Sequence, residues 1–228
     1  QSKIEKFPYN KVILIIKKLH EDVESDNPDS DKSEEDELLG KISVIDKVTI
    51  DYIDELSLSE NIVELLNCLL VMTAKCSILS LQKKTAKIVR ATNWYNLGLA
   101  QLESFIQTGR TQYRDAAIDS LKRSIQLESS NANYWVSLGV VMVSVNPRIS
   151  QHCFIKASAL DPKNGEIWNN LAVLYLRYGD LELAQQTFVK AQSIAPDLAH
   201  SWIGDALMAT ESDDNETASK LFTHALVL

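Results

Sequence analysis

The sequence predicts an all-α fold, an α-solenoid (superhelix) in which helix-turn-helix units follow one another. Three observations predict it. All four tryptophans sit in one local frame: Trp94-Tyr95-Asn96-Leu97-Gly98, Trp135-Val136-Ser137-Leu138-Gly139, Trp168-Asn169-Asn170-Leu171-Ala172 and Trp202-Ile203-Gly204-Asp205-Ala206. They are spaced 41, 33 and 34 residues apart, and self-similarity of this period is the signature of stacked repeats. Internal landmarks recur between them, and seven Gly and five Pro in 228 residues are too few for the turns of a sandwich or barrel.

The elements follow in order. Residues 1–20 are read as a helical segment on the apolar run Val12, Ile13, Leu14, Ile15, Ile16 and Leu19. Residues 21–48 are read as an acidic flexible linker or insertion. Glu21 to Glu37 carries −9 of the chain's formal charge of −8, leaving about +1 elsewhere, and so few apolar residues cannot offset chain entropy. Acid-directed phosphorylation of Ser25, Ser30 or Ser33 is the functional alternative for that tract. Residues 49–90 are read as degenerate helical repeat. Ser57-Leu58-Ser59-Glu60 has a capping-box pattern, and the Gly- and Pro-free stretch behind it is long enough for two packed helices with an unmarked turn. No apolar run is expected to reach the length of a membrane span.

Residues 91–228 divide into units 91–131, 132–164, 165–198 and 199–228. Their landmarks fit the 34-residue tetratricopeptide pattern of Trp, Leu-Gly, Tyr, Ala, Phe and Pro. The third unit has Trp168, Ala172, Tyr175, Ala184, Phe188 and Pro196 in register. The second has Trp135, Gly139, Phe154 and Pro162, and the first has Trp94 and Gly98 with about seven extra residues around Gln101–Gln112. The fourth has Trp202, Ala206 and Phe222 and breaks off at Leu228, as expected of a truncated unit. The small residue lets the first helix of a unit approach the second, Phe fills the wedge to the next unit with Trp on the other side, and Pro stops the second helix.

Tyr134-Trp135, Ser150-Gln151-His152-Cys153-Phe154-Ile155-Lys156, Leu183-Ala184-Gln185 and Trp202-Ile203-Gly204-Asp205-Ala206-Leu207 resemble the tetratricopeptide scaffold subunit of the superkiller (Ski) complex. The resemblance covers roughly residues 90–228, and residues 1–60 match nothing. It implies a scaffold that holds a DExH-type RNA helicase and WD-repeat subunits and serves the exosome in 3′-to-5′ mRNA decay.

The concave wall of such a fold comes from the first helix of each unit. Tyr95, Leu99, Leu102, Val136, Val140, Val143, Asn169, Val173, Leu176, Ile203, Leu207 and Thr210 are the expected wall positions, mostly apolar. A clamp for a carboxylate terminus needs Lys, Arg and Asn there. Only Asn169, Asn170 and Arg177 qualify, so a generic peptide-binding module, such as a co-chaperone, is the second reading. An apolar wall calls for cover, by a protein partner or by neighbouring turns.

No catalytic, cofactor or metal site is expected. His152 and Cys153 are helix neighbours about 100° apart. His20, His200 and His224 lack partners at ligand spacing, and Asp213-Asp214-Asn215-Glu216 reads as a helix N-cap. Three Cys without CxxC spacing argue against a disulfide framework and for the cytoplasm, or the nucleus. Lys75, Lys83, Lys84, Lys87 and Arg90 form a basic stretch without stacking aromatics, so a solvated face or pairing with the acidic tract is expected, not RNA binding.

Overall fold

A computed structural model describes residues 11–18, 34–57, 61–80 and 86–228, and no strand occurs among them. They form two compact units, one up to residue 128 and one from residue 129.

In the first unit, α1 (residues 11–18) is followed by α2 (Glu34–Asp46), α3 (Ile50–Ser57), α4 (Ile62–Ser80), α5 (Lys87–Thr108) and α6 (Thr111–Leu127). α5 and α6 make a tight hairpin, with α4 against α5 and α2 against α6. The segment expected to be flexible over 21–48 is therefore helical over 34–46, while residues 21–33, with Ser25, Ser30 and Ser33, lie outside the described residues. The reason is burial. Leu39, Ile42 and Val48 are core residues, and two acids that the composition assigns to solvent, Glu35 and Asp46, are buried with them. The Arg90 guanidinium donates to Glu35 through Nε at 3.0 Å and through Nη2.

Asp46 is the centre of the larger network. Lys75 Nζ donates to its Oδ1 at 2.8 Å, the Val48 N–H to the same oxygen at 2.9 Å, and Gln101 Nε2 to Oδ2 at 2.8 Å. Ser120 Oγ in turn donates to Gln101 Oε1 at 2.7 Å. One carboxylate thus ties α2 to α4, α5 and α6. Burial pushes the Lys75 ammonium below its ordinary range, and Asp46 beside it opposes that shift.

Two other expectations change in this unit, and a third feature is placed. Ser57 ends α3, and residues 58–60 lie outside the described ones. The box that opens α4 is Asn61 with Glu64, where Asn61 Oδ1 accepts from the Glu64 N–H at 3.2 Å and Asn61 Nδ2 donates to Glu64 Oε2 at 2.8 Å. Ile62–Leu79 is, by length and composition, apolar enough to cross a membrane, contrary to expectation. Here it is a core helix, with Leu65, Leu69, Val71, Met72, Cys76 and Ile78 buried and its two charged residues, Glu64 and Lys75, paired. The extra residues of the first tetratricopeptide unit are not a loop. They are helical, carrying α5 fourteen residues past Trp94, against nine past Trp168 in α9, and α6 to 17 residues, against 14 in α10, and Gly109 at φ 68° closes α5 where a side chain would be strained.

The second unit holds three hairpins, α7 (Ala132–Met142) with α8 (Pro147–Leu160), α9 (Gly165–Arg177) with α10 (Leu181–Ile194), and α11 (Ala199–Glu211) with α12 (Asn215–Val227). Side chains of Asn131, Asn146, Asn164, Asp180 and Asp214 accept from backbone N–H groups at five of the six helix starts. Phe154 and Phe188 are buried at 1% and 0% exposure. A Cβ on Gly139 would lie 2.7 Å from the Phe154 ring, and one on Gly204 2.3 Å from Phe188. Gly204 is thus a second small residue beside Ala206, because the ring it must admit comes from α10 of the preceding hairpin. Phe222 stays only half-buried, since no described helix packs beyond α12.

Two substitution pairs test this packing. Gly204→Ala should destabilise the chain by about 1–3 kcal/mol through overpacking. Gly40→Ala on α2, where a Cβ meets nothing within 4 Å, should stabilise it by up to about 1 kcal/mol. Lys75→Met, which leaves Asp46 buried without its cation, should cost about 3–5 kcal/mol, whereas the exposed Lys41→Met should stay within about 0.5 kcal/mol. Urea denaturation followed by circular dichroism reads all four.

Candidate functional site: the first-helix wall

The wall residues are placed by helical register. In the second unit the residue five positions past each Trp points outward, giving Val140, Val173 and Leu207 at 40%, 46% and 47% exposure, one on each of α7, α9 and α11, with Ile203 beside them at 38%. On α7 the positions on either side of the outward one turn into a seam, and on α9 the one three residues further does. Val136 and Val143 pack against the Phe154–Leu171–Leu174 cluster, and Leu176 packs against Ala172, Ala184, Phe188 and Met208. Three residues expected on the open wall are therefore seam residues, because a shift of three or four positions on a helix rotates a side chain only partway off the packed face. Tyr178 closes one seam, donating its O–H to the Val143 carbonyl at 2.6 Å.

Asn169 and Asn170 are half-buried and Arg177 is exposed. Asn169 Oδ1 is buried and finds no partner among the described residues. In the first unit, Tyr95, Leu99 and Leu102 are half-buried on α5, and Leu99 and Leu102 line an open groove against α4.

The tryptophans have a role that the sequence pattern does not reveal. Trp135, Trp168 and Trp202 are half-buried, and each indole Nε1 donates to the carbonyl six residues earlier, on Ser129, Pro162 and Pro196, at 2.9, 3.3 and 2.8 Å. The indole pins the turn that precedes its own helix, and Pro162 and Pro196 supply the acceptors as well as the helix stops. The recurring six-residue step between Pro and Trp was the visible signal. Trp94 is fully buried instead, its Nε1 without a partner among the described residues. The residue six before it, Ile88, already lies inside α5, so its carbonyl is not on a turn.

His152 and His224 stand edge-on to Trp135 and Trp202, with ring centroids 6.2 and 4.4 Å apart, and Lys190 lies 5.9 Å over the Trp168 ring. Cys153 is buried in the core. No group of three His, Cys, Asp or Glu able to hold a metal occurs among the described residues. His20, Lys83 and Lys84 lie outside them. Of the basic stretch, Lys75 is buried on Asp46 and Arg90 pairs with Glu35 of the acidic tract.

The helical hairpins define a protein of the tetratricopeptide-repeat class, and the tetratricopeptide-repeat family profile matches residues 153–186. The MamA 41-end structure from Desulfovibrio magneticus RS-1 shares the fold at a TM-score of 0.55 and 14% identity, covering 81% of this chain and 94% of that one. Within the class, the chain is similar along its whole length to Superkiller protein 3 of Saccharomyces cerevisiae, 39% identical over 230 residues, which cover 100% of this chain and 15% of that protein. Superkiller complex protein 3 of Mus musculus is 33% identical over 113 residues, 44% of this chain and 7% of that protein. The resemblance is therefore not confined to residues 90–228: it includes the N-terminal segment, with α2 and its buried acids. The chain spans about 15% of the length of the yeast relative.

The same burial makes a prediction about the cysteines. Desolvation pushes the Cys68 and Cys153 thiols up to about 11 and raises that of Cys76. At pH 8 only about one in a thousand molecules carries a thiolate at Cys68 or Cys153, so all three should resist a disulfide-exchange reagent in the native protein and react once it is unfolded in urea. Fast labelling without denaturant would contradict the packing.

Proposed function

We propose that this chain is a non-catalytic, protein-binding segment of a superkiller-type repeat scaffold. In this reading the units 91–131, 132–164, 165–198 and 199–228 present first-helix side chains to protein partners, a DExH-type RNA helicase and WD-repeat subunits, in a cytoplasmic assembly that supports exosome-linked 3′-to-5′ mRNA decay. The carrying observation is the similarity to Superkiller protein 3, which runs the length of the chain at 39% identity. The exposed row Val140, Val173 and Leu207 adds a physical means. Three apolar side chains recur on successive first helices, flanked on α7 and α9 by Val136, Val143 and Leu176 in the seams, so the row is free to bind without loosening the stack.

The triple variant Val140→Asp, Val173→Asp and Leu207→Asp tests it. The three positions are exposed, so each change should alter stability by less than about 0.5 kcal/mol, and circular dichroism should be native. Affinity purification from cells followed by mass spectrometry should recover helicase and WD-repeat proteins with the unaltered protein, and at least about tenfold less with the variant. Chaperones alone with the unaltered protein would refute the assignment, and undiminished recovery with the variant would refute the row.

A further inference from the structure

The lengthened α5 builds a feature that the repeat pattern does not contain. Between α4 and α5 runs an open groove of about 580 Å³, lined from α4 by Leu70, Ala74 and Ser77 and from α5 by Leu99, Glu103 and Ile106, among others. Ile106 falls in the extra turns at the end of α5, and Leu70 and Ile106 are exposed at 55% and 66%. The groove follows α5 from Asn93 to Ile106, about 20 Å at the rise of an α-helix.

We propose that this groove docks an amphipathic α-helix of a protein partner, with its apolar face down and a Lys or Arg beside Glu103. The inference rests on the protein-binding reading above and names the chemistry of one partner. Hydrogen bonding selects a helix over an extended segment. Thr73 Oγ1 donates to the Leu69 carbonyl, Ser77 Oγ to the Thr73 carbonyl and Asn93 Nδ2 to the Ser77 carbonyl, so these polar groups of the floor are already turned to their own unit. An extended segment would bring a row of unpaired N–H and C=O groups to a surface where the exposed Asn96 is the remaining amide, whereas a helix arrives with its backbone satisfied. The small residues Ala74 and Ala100 leave room for its ridge of side chains. Charge selects the flank. Glu103 is the one charged residue among those that line the groove, and it is exposed, its Oε1 accepting from Gln107 at 2.7 Å. A basic residue is matched there and an acidic one repelled.

The probe is a pair of synthetic helical peptides of about 18 residues, long enough to span the groove. Both carry Leu at i, i+4, i+7 and i+11. One places Lys-Arg at the flank and the other Glu-Glu, and binding to the full 228-residue chain is followed by fluorescence anisotropy. The basic peptide should bind with a dissociation constant below about 100 µM and at least about fivefold tighter than the acidic one. Ile106→Asp or Leu70→Asp should each weaken it about tenfold, and Glu103→Lys should reverse the preference. The proposal is overturned if neither peptide binds, or if the preference survives Glu103→Lys. It is equally overturned by a concentration-dependent dimer abolished in Ile106→Asp, which gives the groove to a second copy, and by binding that appears only after deletion of residues 1–10, which gives it to the chain itself. Failure here with helicase recovery intact leaves the scaffold reading standing. Lost recovery in the Val140, Val173 and Leu207 variant with peptide binding intact leaves the groove standing.

Discussion

A phenyl ring beneath a residue without room for a Cβ is the constraint on which the second unit depends. Phe154 meets Gly139 across its own hairpin, and Phe188 meets Gly204 across the seam to the next, at distances that an added methyl would cut to 2.7 and 2.3 Å. Dispersion falls off steeply with separation, so the ring contributes fully only when the facing backbone comes this close. That approach fixes how each helix is rotated about its own axis. On α7 that rotation leaves Val140 facing outward and turns Val136 and Val143 into the seam. The exposed row is therefore a by-product of core geometry, made useful by the residue types placed on it.

The indoles act on a different part of the same problem. A helix pair leaves carbonyls at the turn into the next pair, and an exposed turn loosens the stack first. Each half-buried Trp supplies an N–H to that turn while its ring shields the adjoining apolar cluster, as Trp168 does for Phe154, Leu171 and Leu174. Trp94 shows the limit of the motif. Where α5 runs straight through the place of the turn, the indole moves into the core, and its Nε1 has no partner among the described residues.

The repeat was legible in the sequence because its determinants are local: Trp, a small residue, Phe and Pro at steps that one helix turn or one hairpin can span. The first unit was less legible because its determinants are not. Asp46, Lys75, Gln101 and Ser120 form one network, yet no two of them are close enough in the chain for periodicity to join them. Composition misled in the same region. It counts Glu35 as one more solvated acid, whereas Arg90 holds it at the start of a helix. The wall was half legible. Residue type marked the apolar positions, but telling Val140 from Val136 and Val143 required the rotation that the Phe–Gly contacts impose.

The two units thus solve the same packing problem with opposite materials, and the difference has a physical reason. Leu39 and Ile42 on α2 are apolar side chains of similar shape, and an amphipathic helix held by such residues alone can settle one turn along its partner at little cost. Asp46 removes that freedom. Its carboxylate is buried, and a shift by one turn would move it 5.4 Å along the axis, away from Lys75 and Gln101 together. An unpaired buried charge costs several kcal/mol, far more than a displaced leucine, so the network holds α2 in a single register even if it adds little to net stability. The second unit needs no such device there, because Phe–Gly contacts already hold α7 against α8 and α10 against α11 by shape.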